Sequence, residues 1–140
     1  MLTSEYTHAL DPKNRLFIPA KHRDELGLSF MVVQNVRSTC LTIYTMEGWE
    51  AYLEPIKKLE RKISEMVLRE LNSKALKVVP DNQGRILLSQ ALVDYSQIKK
   101  DAVIVGCGDY AEIWASEVYE ATVLNSDKNA IRAALEACGL

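Results

Sequence analysis

Cysteine is scarce in this chain and histidine scarcer. Cys40, Cys107 and Cys138 are odd in number and form no C-x-x-C, which fits reduced thiols and argues against a disulfide framework or a zinc site. His8 and His22 are the only histidines, and neither belongs to a metal-ligand motif. No G-x-S-x-G elbow, P-loop or dinucleotide fingerprint occurs, and Gly106-Cys107-Gly108 before Asp109 reads as a hairpin tip rather than a phosphate cradle. Cys107 could react if exposed, yet nothing near it in sequence would lower its pKa. No enzyme, metal, cofactor or small-molecule substrate is expected. No apolar run approaches the ~20 residues that cross a bilayer, and Met1 to Tyr6 lack the basic head and apolar stretch of an export signal, so a cytoplasmic protein is expected.

A cationic surplus is missing as well. Seventeen Lys and Arg against nineteen Asp and Glu give a net charge of −2, which taken alone speaks against a nucleic-acid partner. The charges are unevenly spread. Lys13, Arg15, Lys21, Arg23 and Arg37 lie early; Glu47, Glu50, Glu54, Asp109, Glu112, Glu117 and Glu120 lie later. A local basic face is possible on an acidic molecule.

What the chain does have is one pattern twice. Asp11-Pro12-Lys13-Asn14-Arg15-Leu16-Phe17-Ile18 returns seventy positions on as Asp81-Asn82-Gln83-Gly84-Arg85-Ile86-Leu87-Leu88. Asp24, Val33, Ile43, Glu47, Glu50 and Ala51 recur, without a gap, as Asp94, Val103, Ile113, Glu117, Glu120 and Ala121. With the acid and arginine of each motif that makes eight identities, where average residue frequencies would give roughly two or three. Leu16/Ile86, Leu28/Ile98, Tyr44/Trp114 and Trp49/Tyr119 are conservative matches. The chain is an internal duplication. Each half is marginal alone, so the two are expected to share one core.

Within each copy, Asp opens a tight turn and Arg closes it. Asn14 and Gly84 occupy the same turn position, which points to a left-handed backbone there. Strands are expected over Glu5–Leu10, Arg15–Ile18, Phe30–Asn35 and Cys40–Tyr44, with a short helix over Ala20–Leu26 capped by Gly27 and a helix after Thr45. Pro55 to Leu71 has no counterpart, and its apolar spacing (Ile56, Leu59, Ile63, Met66, Val67, Leu71) predicts one amphipathic helix joining the copies. The second copy repeats the order: strands Ala75–Val79, Arg85–Leu88, Ala102–Gly106 and Tyr110–Ala115, with helices Gln90–Tyr95 and Glu117–Leu124. A last helix, Asp127–Cys138 with Ser126 as cap, carries a narrow stripe of Ile131, Ala134, Leu135 and Cys138. The organisation expected is a first repeat over 1–54, a connecting helix over 55–73, a second repeat over 74–125 and a C-terminal helix over 126–140.

Asp11 and Arg15 allow two compatible readings. Four residues apart across a turn, they can pair as a brace. Alternatively, Arg15 and Arg85 face an anion, for which the planar guanidinium fork is suited. Lys13 would add a cation, and its counterpart Gln83 could hydrogen-bond to a base. Lys21-His22-Arg23 reads as the solvated face of a short helix. Tyr44, Trp49, Trp114 and Tyr119 read as core or subunit-contact aromatics.

Leu10-Asp11-x-x-x-Arg15-Leu16-x-Ile18-Pro19-Ala20, Asp81-x-x-Gly84-Arg85-Ile86-Leu87, Val103-Ile104-Val105-Gly106 and Glu112-Ile113-Trp114 together resemble the MraZ family. The resemblance covers about residues 5 to 123. MraZ proteins are similar to the AbrB and SpoVT swapped-hairpin regulators. The resemblance implies an α+β fold, a pseudo-symmetric pair of β-α-β halves of barrel-like form with peripheral helices, and a ring-like homo-oligomer. It also implies binding of double-stranded DNA at tandem repeats upstream of the division and cell-wall gene cluster, on the nucleoid and not at a membrane. The contact residues would be Asp11, Lys13, Asn14, Arg15, Asp81, Gln83 and Arg85. Asn14 stands where glycine is usual, and Ser89, Val93 and Asp94 depart from the family pattern, so weaker binding is expected at the second hairpin. Two rival readings are a ring-forming scaffold for protein partners and an antitoxin-like module using the C-terminal tail.

Overall fold

A computed structural model describes residues 1–140. β1 (Glu5–Ala9) alternates as expected, with Tyr6 and His8 half-buried and their neighbours exposed. The Asp11–Asn14 turn leads into β2 (Arg15–Phe17), and α1 (Ala20–Leu26) follows with Pro19 as its N-cap. Gly27 ends α1 at φ 87°. β3 (Phe30–Gln34) and β4 (Leu41–Thr45) form a hairpin. Thr45 caps α2 (Met46–Lys57), its Oγ1 accepting the Gly48 amide at 2.8 Å. After α3 (Arg61–Ser73) the order returns as β5 (Leu76–Val78), β6 (Arg85–Leu87), α4 (Gln90–Ser96), β7 (Asp101–Gly106), β8 (Ala111–Ala115) and α5 (Ser116–Thr122), and α6 (Lys128–Ala137) closes the chain.

The two copies exchange strands. Six strands form one antiparallel sheet in the order β1-β7-β8-β4-β3-β5, so the first strand of each copy pairs with the hairpin of the other. β2 and β6 form a separate two-stranded ribbon. Two pairings mark a pseudo-twofold axis. Leu16 lies opposite Ile86 in the ribbon, and Thr42 lies opposite Glu112 at the centre of the sheet. Each pair joins residues seventy positions apart. One core of nineteen buried residues draws on both copies, with Leu16, Ile18, Ile43, Ile86, Ile104 and Ile113 fully enclosed. The fold is the α+β duplicated one that the resemblance implies.

The repeat is not gapless in space. Thr45 and Ala115 stand seventy apart, but their partners Phe30 and Ala102 stand seventy-two apart. In the second copy the stretch before the hairpin is longer by two, and the tip is shorter by two: Cys107–Tyr110 against Asn35–Cys40. Val33 therefore matches Val105, and Met31 matches Val103, correcting the ungapped Val33/Val103 pair. Leu28 and Ile98 also part company, the first 92% exposed and the second buried. A slip of two keeps each side chain on its own face, so the core survives it; a slip of one would not. Two satellite clusters confirm the equivalence. Met31, Val33 and Trp49 pack together on one side, and Val103, Val105 and Tyr119 do so on the other.

Three further expectations change. The helix expected over Pro55–Leu71 is two helices. Pro55 lacks the amide that would bond back to Ala51, and α2 ends two residues later. Glu60 then caps α3, its carboxylate accepting the Ile63 amide at 3.3 Å. α3 packs along α2, where Trp49 Nε1 donates to Asn72 Oδ1 at 3.2 Å. Ile56 and Leu71 reach that contact, whereas Leu59, Ile63 and Met66 remain exposed. The cap of α6 is Asp127, not Ser126, because its carboxylate reaches the amides of Asn129 and Ala130. His22 is not on a solvated face: it is buried, with Nε2 donating to the Thr3 carbonyl at 2.6 Å and its ring edge-on to Tyr6.

Leu16→Ala and Ile86→Ala remove pseudo-equivalent side chains, each fully buried. Each should cost about 2–5 kcal/mol, and the two losses should be of similar size. Urea unfolding of the single variants checks this.

Candidate nucleic-acid interface

Both acid-to-arginine turns fold by local chemistry. Asp11 Oδ1 accepts the amides of Lys13 and Arg15 at 2.9 and 2.8 Å, and Oδ2 accepts Arg15 Nε at 2.6 Å. Asp81 repeats the arrangement with the amides of Gln83 and Arg85, both at 2.9 Å, and Arg85 Nε at 2.9 Å. The turn backbones match too. Asn14 and Gly84 donate to the carbonyls of Asp11 and Asp81, and both take positive φ, 61° and 79°. The brace is real in both copies. It engages Nε only, so each guanidinium holds its outer nitrogens beyond the carboxylate that orients it.

The amide of Arg15, then its guanidinium and the Lys13 amide, hold the Asp11 carboxyl below its ordinary 3.8, overcoming an upward push from desolvation. Asp81 is held down in the same way, chiefly by the Arg85 amide. Both braces are therefore ionised throughout the neutral range.

Antiparallel pairing sets the two turns at opposite ends of one short ribbon. In the ribbon Arg15 lies opposite Leu87, and Phe17 opposite Arg85. Leu16 and Ile86 face the core, which leaves Arg15, Phe17, Arg85 and Leu87 on the outer face. Each turn also clamps the end of the other strand: Leu88 donates to the Asn14 carbonyl and Ile18 to the Gly84 carbonyl, both at 2.9 Å. Arg85 Nη1 comes within 3.9 Å of Asp11 Oδ2, so the two braces are joined across the axis. The Arg15 and Arg85 side chains are 34% and 28% exposed, accessible but held.

Each turn also docks on the short helix of the other copy. Asn14 Nδ2 donates to Gln90 Oε1 at 3.0 Å, and Gln90 Nε2 donates to Asp94 at 2.8 Å. Gly84 lies against Arg23, where any Cβ would meet the guanidinium within 3 Å. Arg23 donates from Nε to the Ile18 carbonyl at 2.8 Å and sits 5.4 Å from the centre of the Phe17 ring. His8 meets the same ring edge-on.

The structure thus brings Asp11, Arg15, Asp81 and Arg85 together at one place, with Asn14 at their edge and Lys13 and Gln83 exposed on the turn tips. Arg23, Leu87 and Gln90 complete the surface and were not among the expected contacts. Arg23 belonged to the basic Lys21-His22-Arg23 cluster, read as a solvated face, and Gln90 had no signal beyond its place on a short helix. Leu87 had one: apolar, in a three-residue strand whose other apolar member, Ile86, faces inward.

Other chemistry is quiet. Burial and the Glu112 carboxylate push the Cys107 thiol up to about 11, and burial pushes Cys40 up to about 12, so neither is an activated nucleophile. A cleft of about 1030 Å³ whose lining includes Tyr44, Trp49, Tyr52 and Tyr110 draws on none of the ribbon residues. No helix is long and apolar enough to cross a membrane.

Comparison with known proteins bears on this arrangement. The family model described as "MraZ protein, putative antitoxin-like" matches twice, over residues 1–70 and 71–137. A protein of Clostridium tetani named transcriptional regulator MraZ is 41% identical over 122 residues, covering 86% of this chain and 85% of its own length. One of the same name from Clostridium acetobutylicum is 36% identical over 143 residues and the full length of both chains. Another, from Pelotomaculum thermopropionicum, is 38% identical over 122 residues, or 86% of this chain and 83% of its own.

Two outcomes follow from the turn geometry. A carboxylate held low stabilises the fold above its unfolded pKa and ceases to do so as pH falls through the folded value, so the Arg15 and Arg85 amide resonances should hold steady at neutral pH and shift in acid with midpoints below the ordinary 3.8. Gly84→Ala must adopt a positive φ and displace Arg23, at a cost of about 1–2 kcal/mol. Thermal unfolding measures it.

Proposed function

The chain belongs to the MraZ family, and we propose that it is a sequence-specific DNA-binding regulator of transcription. The observation that carries the reading is the pair of acid-braced arginines on the outer face of one ribbon, linked across the pseudo-twofold axis. A guanidinium fixed through Nε presents its remaining nitrogens in a set direction. It can fork onto two phosphate oxygens or onto the O6 and N7 of a guanine. Lys13 and Gln83 extend the same edge from the turn tips, and Asn14 supports it.

A two-stranded ribbon is narrow enough to enter a major groove. In this reading backbone amides and Lys13 fix the register on phosphates, and Arg15 and Arg85 read base edges. The surroundings of the two arginines differ: Lys13 belongs to the first turn and neutral Gln83 to the second. Arg15 therefore carries the larger share of affinity.

One subunit of net charge −2 offers too few cations for tight binding. Self-association into a ring would repeat the patch, and DNA carrying tandem repeats would engage several copies together. Linkage of this kind raises affinity ~10²–10⁴-fold without new contacts. Patches meeting one side of the duplex call for a repeat of about 10 bp, one helical turn. The proposed targets are such repeats upstream of the division and cell-wall gene cluster, which places the protein on the nucleoid.

A mobility-shift titration on the DNA upstream of its own gene tests the reading. Binding should weaken steeply with salt, by about 10³-fold or more between 50 and 200 mM where six or more phosphates are neutralised. Arg15→Ala should nearly abolish the shift and Arg85→Ala should weaken it, with the sedimentation of the assembly unchanged. Both variants shifting DNA like the parent would exclude the ribbon as the contact surface and favour a protein-binding scaffold.

A further inference from the structure

The pseudo-twofold ribbon is symmetric in its arginines and asymmetric in the apolar residues beside them. Phe17 and Leu87 are equivalent positions, each opposite the other copy's arginine. Phe17 is covered. Arg23 lies over its ring and His8 meets its edge, leaving it half-buried. The positions equivalent to Arg23 and His8 are Val93 and Val78, and both are turned into the core. Nothing comparable covers Leu87, which is 61% exposed. What sets Leu87 apart from other exposed apolar residues is its place: it stands bare on the outer face of the ribbon, directly opposite Arg15.

We infer that Leu87 is a specificity residue that packs on the 5-methyl group of a thymine next to the base edge read by Arg15. The inference rests on the DNA-binding reading above and names a contact within it. A ribbon in the major groove meets one apolar feature at a base edge, the thymine methyl. Leu87 suits it: one branched side chain, too small a patch for a protein interface, bordered by Arg15 and Arg85 whose charge matches the phosphates on either side. The same leucine reports the direction in which the ribbon lies. Phe17, sheathed by a cation, makes no equivalent contact, so only the Arg15 side of each binding repeat carries the methyl preference.

The test compares two forms of one DNA fragment, the region upstream of the protein's own gene, copied with either thymidine or deoxyuridine triphosphate. The sequences pair alike and differ in the 5-methyl groups. The parent should bind the thymine form about fourfold more tightly for each methyl contact, the worth of one buried methyl group. Leu87→Ala, an exposed change that leaves the core intact, should bind both forms as the parent binds the uracil form. Leu87→Val should keep part of the preference. Equal binding of the two forms by the parent overturns the inference while leaving DNA binding standing. A preference kept in full by Leu87→Ala also overturns it, as does a change in sedimentation of that variant without loss of methyl preference, which would assign Leu87 to a subunit contact. A parent that binds neither form better than random-sequence DNA removes the DNA-binding reading and this contact with it.

Discussion

Leu16 packed against Ile86 on the pseudo-twofold axis is the contact on which the rest depends. Both are fully buried, each is the central residue of a three-residue strand, and neither strand has another neighbour in its sheet. So short a ribbon has little stability of its own. It exists because its inner face closes the shared core while each turn clamps the other strand's end. Take away the inward pair and the two arginines lose their common platform.

Strand exchange makes the halves inseparable. A lone copy would lose β1 or β5 from its hairpin edge and half of its core. The exchange also carries each acid-arginine turn onto the other copy's short helix. Asn14 meets Gln90, and Gly84 meets Arg23. Braced by their aspartates on anchored turns, the guanidinium groups lose little further freedom when an anion arrives. The two aspartates serve the arginines by orienting them, and their lowered pKa values keep that orientation through the neutral range.

The turns were legible because they are local. An acid four residues before an arginine, with Asn or Gly between, specifies hydrogen bonds that span no more than four positions. The strand alternation of β1 and the cap at Thr45 were readable for the same reason. Two readings missed a distant partner. His22 looked solvated between two cations, yet the Thr3 carbonyl and the Tyr6 ring enclose it. The run from Pro55 to Leu71 kept helical spacing throughout, but α3 folds back along α2 so that Trp49 can reach Asn72.

The sequence by itself determined the duplication, the two braced turns and the identity of the arginines, since these depend on residue chemistry and short spacings. Only the tertiary structure decided that the copies swap strands, that β3 and β7 are offset by seventy-two rather than seventy, and that Arg23, Gln90 and Leu87 gather around the arginines. The swap and the gathering come from pairings between residues more than forty positions apart, and the offset comes from the register of the two hairpins. Their energy lies in burying one shared core, and no window of the chain contains both partners.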